Sequence, residues 1–242
     1  MRLKPIWNII EHKEKVVRVM RTSKQMSESI ELGVILALAG GFMDAYSYLF
    51  RDHVFANAQT GNILLMGINL SEGNLQVALR YLFPVMSFAL GIALADFVRL
   101  KSKEKNHLHW RQATVLCEAI ALFLVGFISK DLNLLANSIT SFACGIQVET
   151  VRKIQGNGIA TTMCIGNLRS ATQNIMEYHF TRNKEQAIKG LLYLFIILCF
   201  VIGAVLGNLC VKFFAQKAIL ICSGIVMIAF SMMFFEKDKI RD

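Results

Sequence analysis

The chain has 242 residues, of which 55% are hydrophobic and only 18% are charged, and its mean hydropathy is +0.48. Soluble domains carry about 25% charged residues, so this composition excludes an ordinary soluble protein and indicates an all-α integral membrane protein. The formal charge of +9 is explained by Lys and Arg in cytoplasmic loops, which we prefer to a nucleic-acid-binding surface.

The N-terminal segment, residues 1–28, is basic and carries apolar residues near helical spacing. This pattern is typical of an amphipathic helix lying on the membrane surface, and a partly disordered cytoplasmic tail is the alternative. After it we predict a first membrane repeat over 29–129, a second over 130–236, and a short cytoplasmic tail over 237–242.

About six long apolar segments follow one another, each of roughly the length that a helix needs to cross about 30 Å of hydrocarbon. Two shorter and more polar segments, 57–70 and 159–178, interrupt them. The long segments lie near 29–50, 75–100, 112–129, 132–153, 188–214 and 218–235.

The basic loops decide the predicted topology. If both short segments enter the membrane and return to the same side, the basic loops 101–111 and 179–189 fall on the same side as both termini. That arrangement satisfies the enrichment of Lys and Arg in cytoplasmic loops, whereas two full crossings place 101–111 outside. We therefore predict two broken or re-entrant helices.

The two halves match at an offset of 105 positions. Asp44 then aligns with Glu149, and the Gly61-Asn62 pair aligns with Gly166 and Asn167. Chance similarity between two apolar sequences is the alternative. With three long segments in each half, the second half enters the membrane from the opposite face, which predicts an inverted internal repeat.

Inverted repeats are common in secondary transporters, whose sites lie near the midplane on discontinuous helices. We therefore expect Thr60, Gly61, Asn62, Gly166 and Asn167 to begin half-helices around a shared site. The predicted solute is small. Because free N–H groups at helix N-termini favour anions, an anionic solute is one form of this hypothesis. Close packing of small residues at helix crossings is the alternative.

Ionisable residues within the apolar segments are costly and mark functional sites. Asp44 is the strongest binding candidate, and Arg169 either meets an anionic solute or neutralises Asp44. Glu118 has no local partner and is a candidate for ion coupling. Glu149 is a second coupling candidate, with a helical ion pair to Arg152 as the alternative.

At these positions the sequence resembles the bacterial YoaK-like multi-pass membrane proteins, a family of uncharacterised function. The resemblance rests on GGFMDAYSYLF at 40–50, QTGNILLMG at 59–67, GIQ at 145–147, Thr161-Thr162 and GNL at 166–168. It implies a helical protein of the bacterial inner membrane, whereas the cytoplasmic termini are predicted from the distribution of Lys and Arg. Gln147, within the GIQ segment, is a further candidate binding residue.

A secondary transporter or permease with a midplane site is thus the predicted function, with a small solute and membrane lipids as partners and a homo-oligomer left open. The alternatives are a membrane component that binds a partner or lipid, and an intramembrane enzyme. The enzyme is disfavoured because the five histidines lie in tails or loops and no GxSxG or HExxH motif occurs. The six cysteines lack metal-ligand spacing, so we expect no metal and no other cofactor.

Overall fold

The computed structural model describes residues 29–102 and 108–234, so the predictions for the two terminal tails and for much of the loop 101–111 lie outside the described residues. Within these ranges the chain forms eight α-helices, and its β-structure is limited to one isolated bridge between Ile154 and Asn157. The helices are α1 (Ile30–Phe50), α2 (Gln59–Ser71), α3 (Leu75–Lys101), α4 (Leu108–Val125), α5 (Asn133–Thr150), α6 (Cys164–Thr181), α7 (Lys184–Phe214) and α8 (Ala218–Met232).

Local sequence signals explain where these helices begin and turn. Ser29 caps α1, because its Oγ accepts the Leu32 N–H at 3.1 Å. Gly73, with φ +76°, permits the tight turn between α2 and α3. Between α6 and α7, Arg182 adopts a left-handed conformation, and the Asn183 side chain then caps α7 by accepting the Glu185 N–H at 3.0 Å.

Three stretches are long and apolar enough to cross a membrane: Ile30–Phe50, Leu75–Lys101 and Lys184–Met232, the last of which contains α7 and α8. Large apolar side chains such as Phe213 are exposed on the outer faces of the bundle, as lipid contact requires. The more polar α5 is buried, and its polar side chains face protein. The prediction of a helical membrane protein is confirmed.

Helix packing relates the first four helices to the last four. Helix α1 packs against α7 and α8, whereas α5 packs against α3 and α4. Helix α2 packs against α3 as α6 does against α7, and α4 also contacts α8. When each of α1–α4 is exchanged for the helix four places later in the chain, every one of these helix pairs becomes another pair in the same set or stays unchanged.

Glycines bring the backbones together at the two main crossings. A Cβ on Gly41 or Gly203 would overlap the backbone of the opposing helix where α1 meets α7. The same is true of Gly91 and Gly145 where α3 meets α5. Small residues allow helices in a membrane to approach this closely and to gain van der Waals contact, so each half contributes one helix to each crossing.

Helices α1 and α5 run antiparallel. Arg51, just after α1, donates to Asn133 Oδ1 at 2.9 Å, and Gln147 near the end of α5 donates to the Leu36 carbonyl in α1 at 2.9 Å. We call the first of these ends the Arg51 end. The other is the Glu149 end, where Arg99 at the end of α3 lies 3.5 Å from Glu149.

Both connecting loops turn back into the bundle. After α1 ends, Asn57 donates to the carbonyl of Gly40 at 3.0 Å. Gly40 lies ten residues before Phe50, the last residue of α1, so the loop has returned about 15 Å along the helix. Helix α2 begins there and leads to α3 at the Arg51 end. After α5 ends, Thr161 returns to accept a hydrogen bond from Gln147 at 2.9 Å, and α6 leads to α7 at the Glu149 end.

Candidate functional site

The two loops meet on one side of α1. Asn57 from the first loop bonds the carbonyl of Gly40, while the backbone of Thr161 and the side chain of Thr162 from the second loop pack against the Gly40 Cα. A Cβ at this position would lie 3.0 Å from the Thr161 carbonyl oxygen and 3.2 Å from Thr162 Cγ2. Glycine is therefore needed for the second loop to approach α1 this closely.

Each loop is held by an asparagine from the helix that follows it. Asn62 accepts the Phe55 N–H at 3.0 Å and donates to the Phe55 carbonyl at 2.8 Å. Asn167 forms the same pair of bonds with Ala160, at 3.2 Å and 2.6 Å. Both asparagines were predicted to bind solute, and in the structure their amides bond the loop backbone.

Asp44 lies at the N-terminal side of α2. Its Oδ1 accepts the backbone N–H of Asn57 at 2.7 Å, and the carboxylate also faces the N–H groups of Ala56 and Ala58. A carboxylate at this position satisfies N–H groups that have no intrahelical partner and interacts favourably with the helix dipole. The anion-binding position predicted at α2 is thus supplied from within the chain, and Asp44 remains half-buried rather than enclosed.

Three oxygens near this meeting point are buried and have no hydrogen-bond partner among the described residues: Asn57 Oδ1, Gln147 Oε1 and Thr162 Oγ1. Their residues are 2%, 0% and 3% exposed. An unsatisfied buried polar group costs about 1–3 kcal/mol, so three in one place need a functional reason. We call Asp44, Asn57, Gln147, Thr161 and Thr162 the central polar cluster.

The other predicted binding residues lie outside this cluster. Thr60, Gly166 and Arg169 are exposed, and no ion pair forms between Arg169 and Asp44. Gly61 packs against the ring of Phe55, where a Cβ would lie 2.9 Å from the ring carbons. Of the eight predicted binding residues, the structure brings Asp44 and Gln147 into the central polar cluster, while Asn62 and Asn167 hold its loops.

Glu149 forms ion pairs at the Glu149 end of the bundle. Its carboxylate lies 3.3 Å from Arg152 and 3.5 Å from Arg99, and Asp96 binds Arg99 in turn. The Arg152 pair is the alternative raised by the sequence, and the Arg99 contact adds a link from α3 to α5. Although Asp44 and Glu149 align in the repeat, their partners in the structure differ.

Glu118 is the second predicted coupling residue, and it lies in α4 with no exposed surface. Both of its carboxylate oxygens lack a hydrogen-bond partner among the described residues. Glu118 is close enough to the thiols of Cys144 in α5 and Cys222 in α8 to interact with them electrostatically. Cys144 interacts in the same way with Asp44. The described part of the chain contains no group of three His, Cys, Asp or Glu residues that could hold a metal ion.

Arg51 is a buried cation that the sequence analysis did not single out. Its side chain is fully buried and donates to the carbonyls of Val125, Ile128 and Ser129 at 2.8–3.3 Å, just where α4 ends. A cation at a helix C-terminus complements the partial negative charge there. Its position directly after an apolar segment could have identified Arg51 as a buried cation.

The sequence analysis also missed Asn57 and Thr162 as site residues. They are related by the same offset of 105 positions as Asn62 and Asn167. Their equal spacing, five positions before the matching asparagines, could have identified them as site residues. The sequence alone does not show, however, that these loops return into the bundle.

A cavity of about 300 Å³ opens at the Arg51 end. Four charged side chains line it, two of each sign, and Asn137, whose Oδ1 is buried and without a partner among the described residues, forms part of its wall. The charged residues are Asp52, Arg80, Lys130 and Asp131. The cavity wall therefore combines polar and apolar side chains, and its four charged groups balance.

Together these features define a helical membrane protein in which two polar loops meet inside the bundle. The chain belongs to the family described as "Protein of unknown function (DUF1275)", whose model matches residues 32–232. It is 25% identical over 211 residues to the UPF0700 transmembrane protein YoaK of Bacillus subtilis (strain 168), an alignment that covers 81% of this chain and 91% of that protein. No solved structure matches the chain. The predicted resemblance is confirmed, and it carries no established activity.

Proposed function

We propose that this protein is a secondary transporter or permease for a small solute, with its binding site at the central polar cluster. The observation that carries the proposal is that two loops from opposite ends of the bundle meet at Gly40 and leave three buried oxygens without partners. Irregular backbone at membrane depth persists only where protein or a polar cavity satisfies it. Discontinuous segments at a repeat interface are a common form of transporter site.

The proposal includes six membrane spans, two re-entrant helices and an inverted repeat in the bacterial inner membrane, with both termini cytoplasmic. The antiparallel course of α1 and α5 supports the inversion, as does the exchange symmetry of the helix pairs. The return of α2 to the Arg51 end and of α6 to the Glu149 end supports re-entry. In this arrangement the Arg51 end faces outward.

Access to the proposed site differs at the two ends of the bundle. The cavity at the Arg51 end is lined by residues outside the central polar cluster, and we propose that it is the outer entrance to the site. At the Glu149 end, the contact between Arg99 and Glu149 joins α3 to α5, and we propose that it helps to close the cytoplasmic side. We propose that opening toward the cytoplasm breaks this contact, and that Glu118 takes part in ion coupling from the core of α4.

Transport by purified protein in proteoliposomes tests the proposal. Solutes are first screened for those that raise the thermal stability of the protein, and uptake is then compared between the wild type and the variants Asp44→Asn and Thr162→Val. Thr140→Val is the matched control, because Thr140 is also buried but bonds the Ala136 carbonyl within α5. We expect the first two variants to lose most uptake and the control to retain it. A transported solute whose uptake neither variant changes places the site elsewhere.

A further inference from the structure

We infer that the central polar cluster binds a small monovalent cation, rather than an anion. The inference rests on the site of the proposed function and deepens it by naming the charge of one ligand. The cluster presents oxygens in excess of donors: a carboxylate at Asp44, amide oxygens at Asn57 and Gln147, and a hydroxyl at Thr162.

The hydrogen bonds within the cluster fix which atoms remain for a ligand. The Asn57 amide nitrogen is used by the Gly40 carbonyl, and the Gln147 amide nitrogen is shared between the Leu36 carbonyl and Thr161 Oγ1. Both amides therefore direct their oxygens away from these partners. Because an acceptor oxygen can be satisfied only by a donor or a cation, a bound anion would leave these oxygens unpaired.

The position of Asp44 argues in the same direction. Its carboxylate faces the backbone N–H groups of Ala56, Asn57 and Ala58, in the loop just before α2, so an anion there would be repelled by the carboxylate. The exposed Arg169 makes no ion pair with the carboxylate. The net charge of the cluster is therefore negative when Asp44 is ionised, and its ligands are the carboxylate, amide and hydroxyl oxygens that hard cations prefer.

Cation-dependent stability of the purified full-length protein tests the inference. Thermal unfolding is followed while NaCl replaces choline chloride at constant ionic strength, so that chloride and screening do not change. We expect a saturable rise in the melting temperature of the wild type. KCl, LiCl and methylammonium chloride in place of NaCl then report whether the site selects by size or accepts an organic ammonium group.

Thr162→Val is the sharpest variant, because the Thr162 hydroxyl has no partner among the described residues and its loss should leave folding intact. We expect this change, and Asp44→Asn, to raise the half-saturating Na⁺ concentration at least about tenfold, the effect of losing about 1.4 kcal/mol. Thr140→Val and the exposed Glu177→Gln serve as controls with unchanged Na⁺ response.

Three results overturn the inference: no difference between Na⁺ and choline, a Na⁺ effect that both site variants retain, or stabilisation by choline sulfate where NaCl gives none. The sulfate result would restore an anionic ligand and leave the proposed transport function standing. Conversely, Na⁺ could stabilise the wild type but not Thr162→Val, while the protein transports no solute. That result would support the cation site and contradict the proposed transport function.

Discussion

Asn62 and Asn167 do the same structural work, since the amide of each one bonds both the N–H and the carbonyl of the residue seven positions earlier. The residues they hold, Phe55 and Ala160, are separated by the same offset of 105 positions. The Gly-Asn repeat in the sequence therefore marks two loop clamps. Each clamp holds a loop whose buried polar residue, Asn57 or Thr162, lies five positions before the asparagine.

Asn62→Ala and Asn167→Ala should each destabilise the protein, because each leaves a backbone N–H and a carbonyl without a side-chain partner. We expect a loss of about 2–4 kcal/mol from these two unsatisfied groups, measured as a lower melting temperature in detergent. The control is Asn69→Ala, since Asn69 donates only to the Leu65 carbonyl within its own helix. Equal effects at Asn62 and Asn69 would contradict the clamp.

The effect of replacing a glycine with alanine should depend on which atoms face that glycine. Gly203→Ala places a methyl group on the Leu38 backbone and should prevent the close approach of α1 and α7, with a large loss of folded protein. Gly224→Ala, in α8, meets no atom within 4 Å and should be neutral or stabilising by up to about 1 kcal/mol. Size-exclusion profiles after heating compare the two. Similar profiles for both variants would contradict the crossing geometry.

Arg51→Met should destabilise the protein by at least about 3 kcal/mol, because it leaves several buried carbonyl oxygens without a donor. Arg51→Lys should have an intermediate effect, since an ammonium group keeps the charge but cannot reproduce the planar fork of the guanidinium. Arg80→Met, at an exposed arginine, is the control. Thermal unfolding ranks the three variants, and a stable Arg51→Met protein would contradict the structural role.

Glu118→Gln should leave stability unchanged or raise it, because an amide has the same shape as a carboxyl group and burial of an ionised carboxylate without a partner is very costly. If Glu118 couples transport to protons, this variant should also lose the dependence of uptake on an imposed proton gradient. Glu177→Gln is the exposed control. Retained proton dependence in Glu118→Gln would assign the coupling to another residue.

The turns after α2 and α6 should lie on opposite sides of the membrane. In a chain whose six cysteines are replaced, we expect Ser71→Cys to react with an impermeant maleimide in intact spheroplasts. Thr181→Cys should react only after permeabilisation, because α6 returns to the Glu149 end. Reaction of both positions under the same condition would contradict the inverted arrangement.

Much of the fold is predictable because it depends on features visible in the chain. Apolar length identified the long helices, among them the three stretches that are long and apolar enough to cross a membrane. The return of the short segments 57–70 and 159–178 to the side they enter from stays a prediction, which rests on the distribution of Lys and Arg. The predicted bounds of the second short segment were nevertheless early, since 159–163 is loop and α6 begins at Cys164. These loop residues, Ile-Ala-Thr-Thr-Met, are uncharged and continue directly into α6, so composition alone does not separate them from the helix.

The site was less predictable because similar residues acquired different partners. Asp44 and Glu149 align in the repeat, but Asp44 meets backbone N–H groups of the first loop, whereas Glu149 meets two arginines. Arg99 and Arg152 have no counterparts beside Asp44. The Arg152 pair could be predicted from its spacing of three residues, whereas Arg99 comes from α3, at a distance along the chain that a helical spacing pattern does not encode.

The glycine contacts at the two crossings have a consequence for how the chain is made. Each contact joins an early helix to a late one, so a nascent chain that has inserted only α1–α4 still has the glycine faces of α1 and α3 uncovered. Neither half is thus a folding unit, and the final shape is reached only after α7 is synthesised.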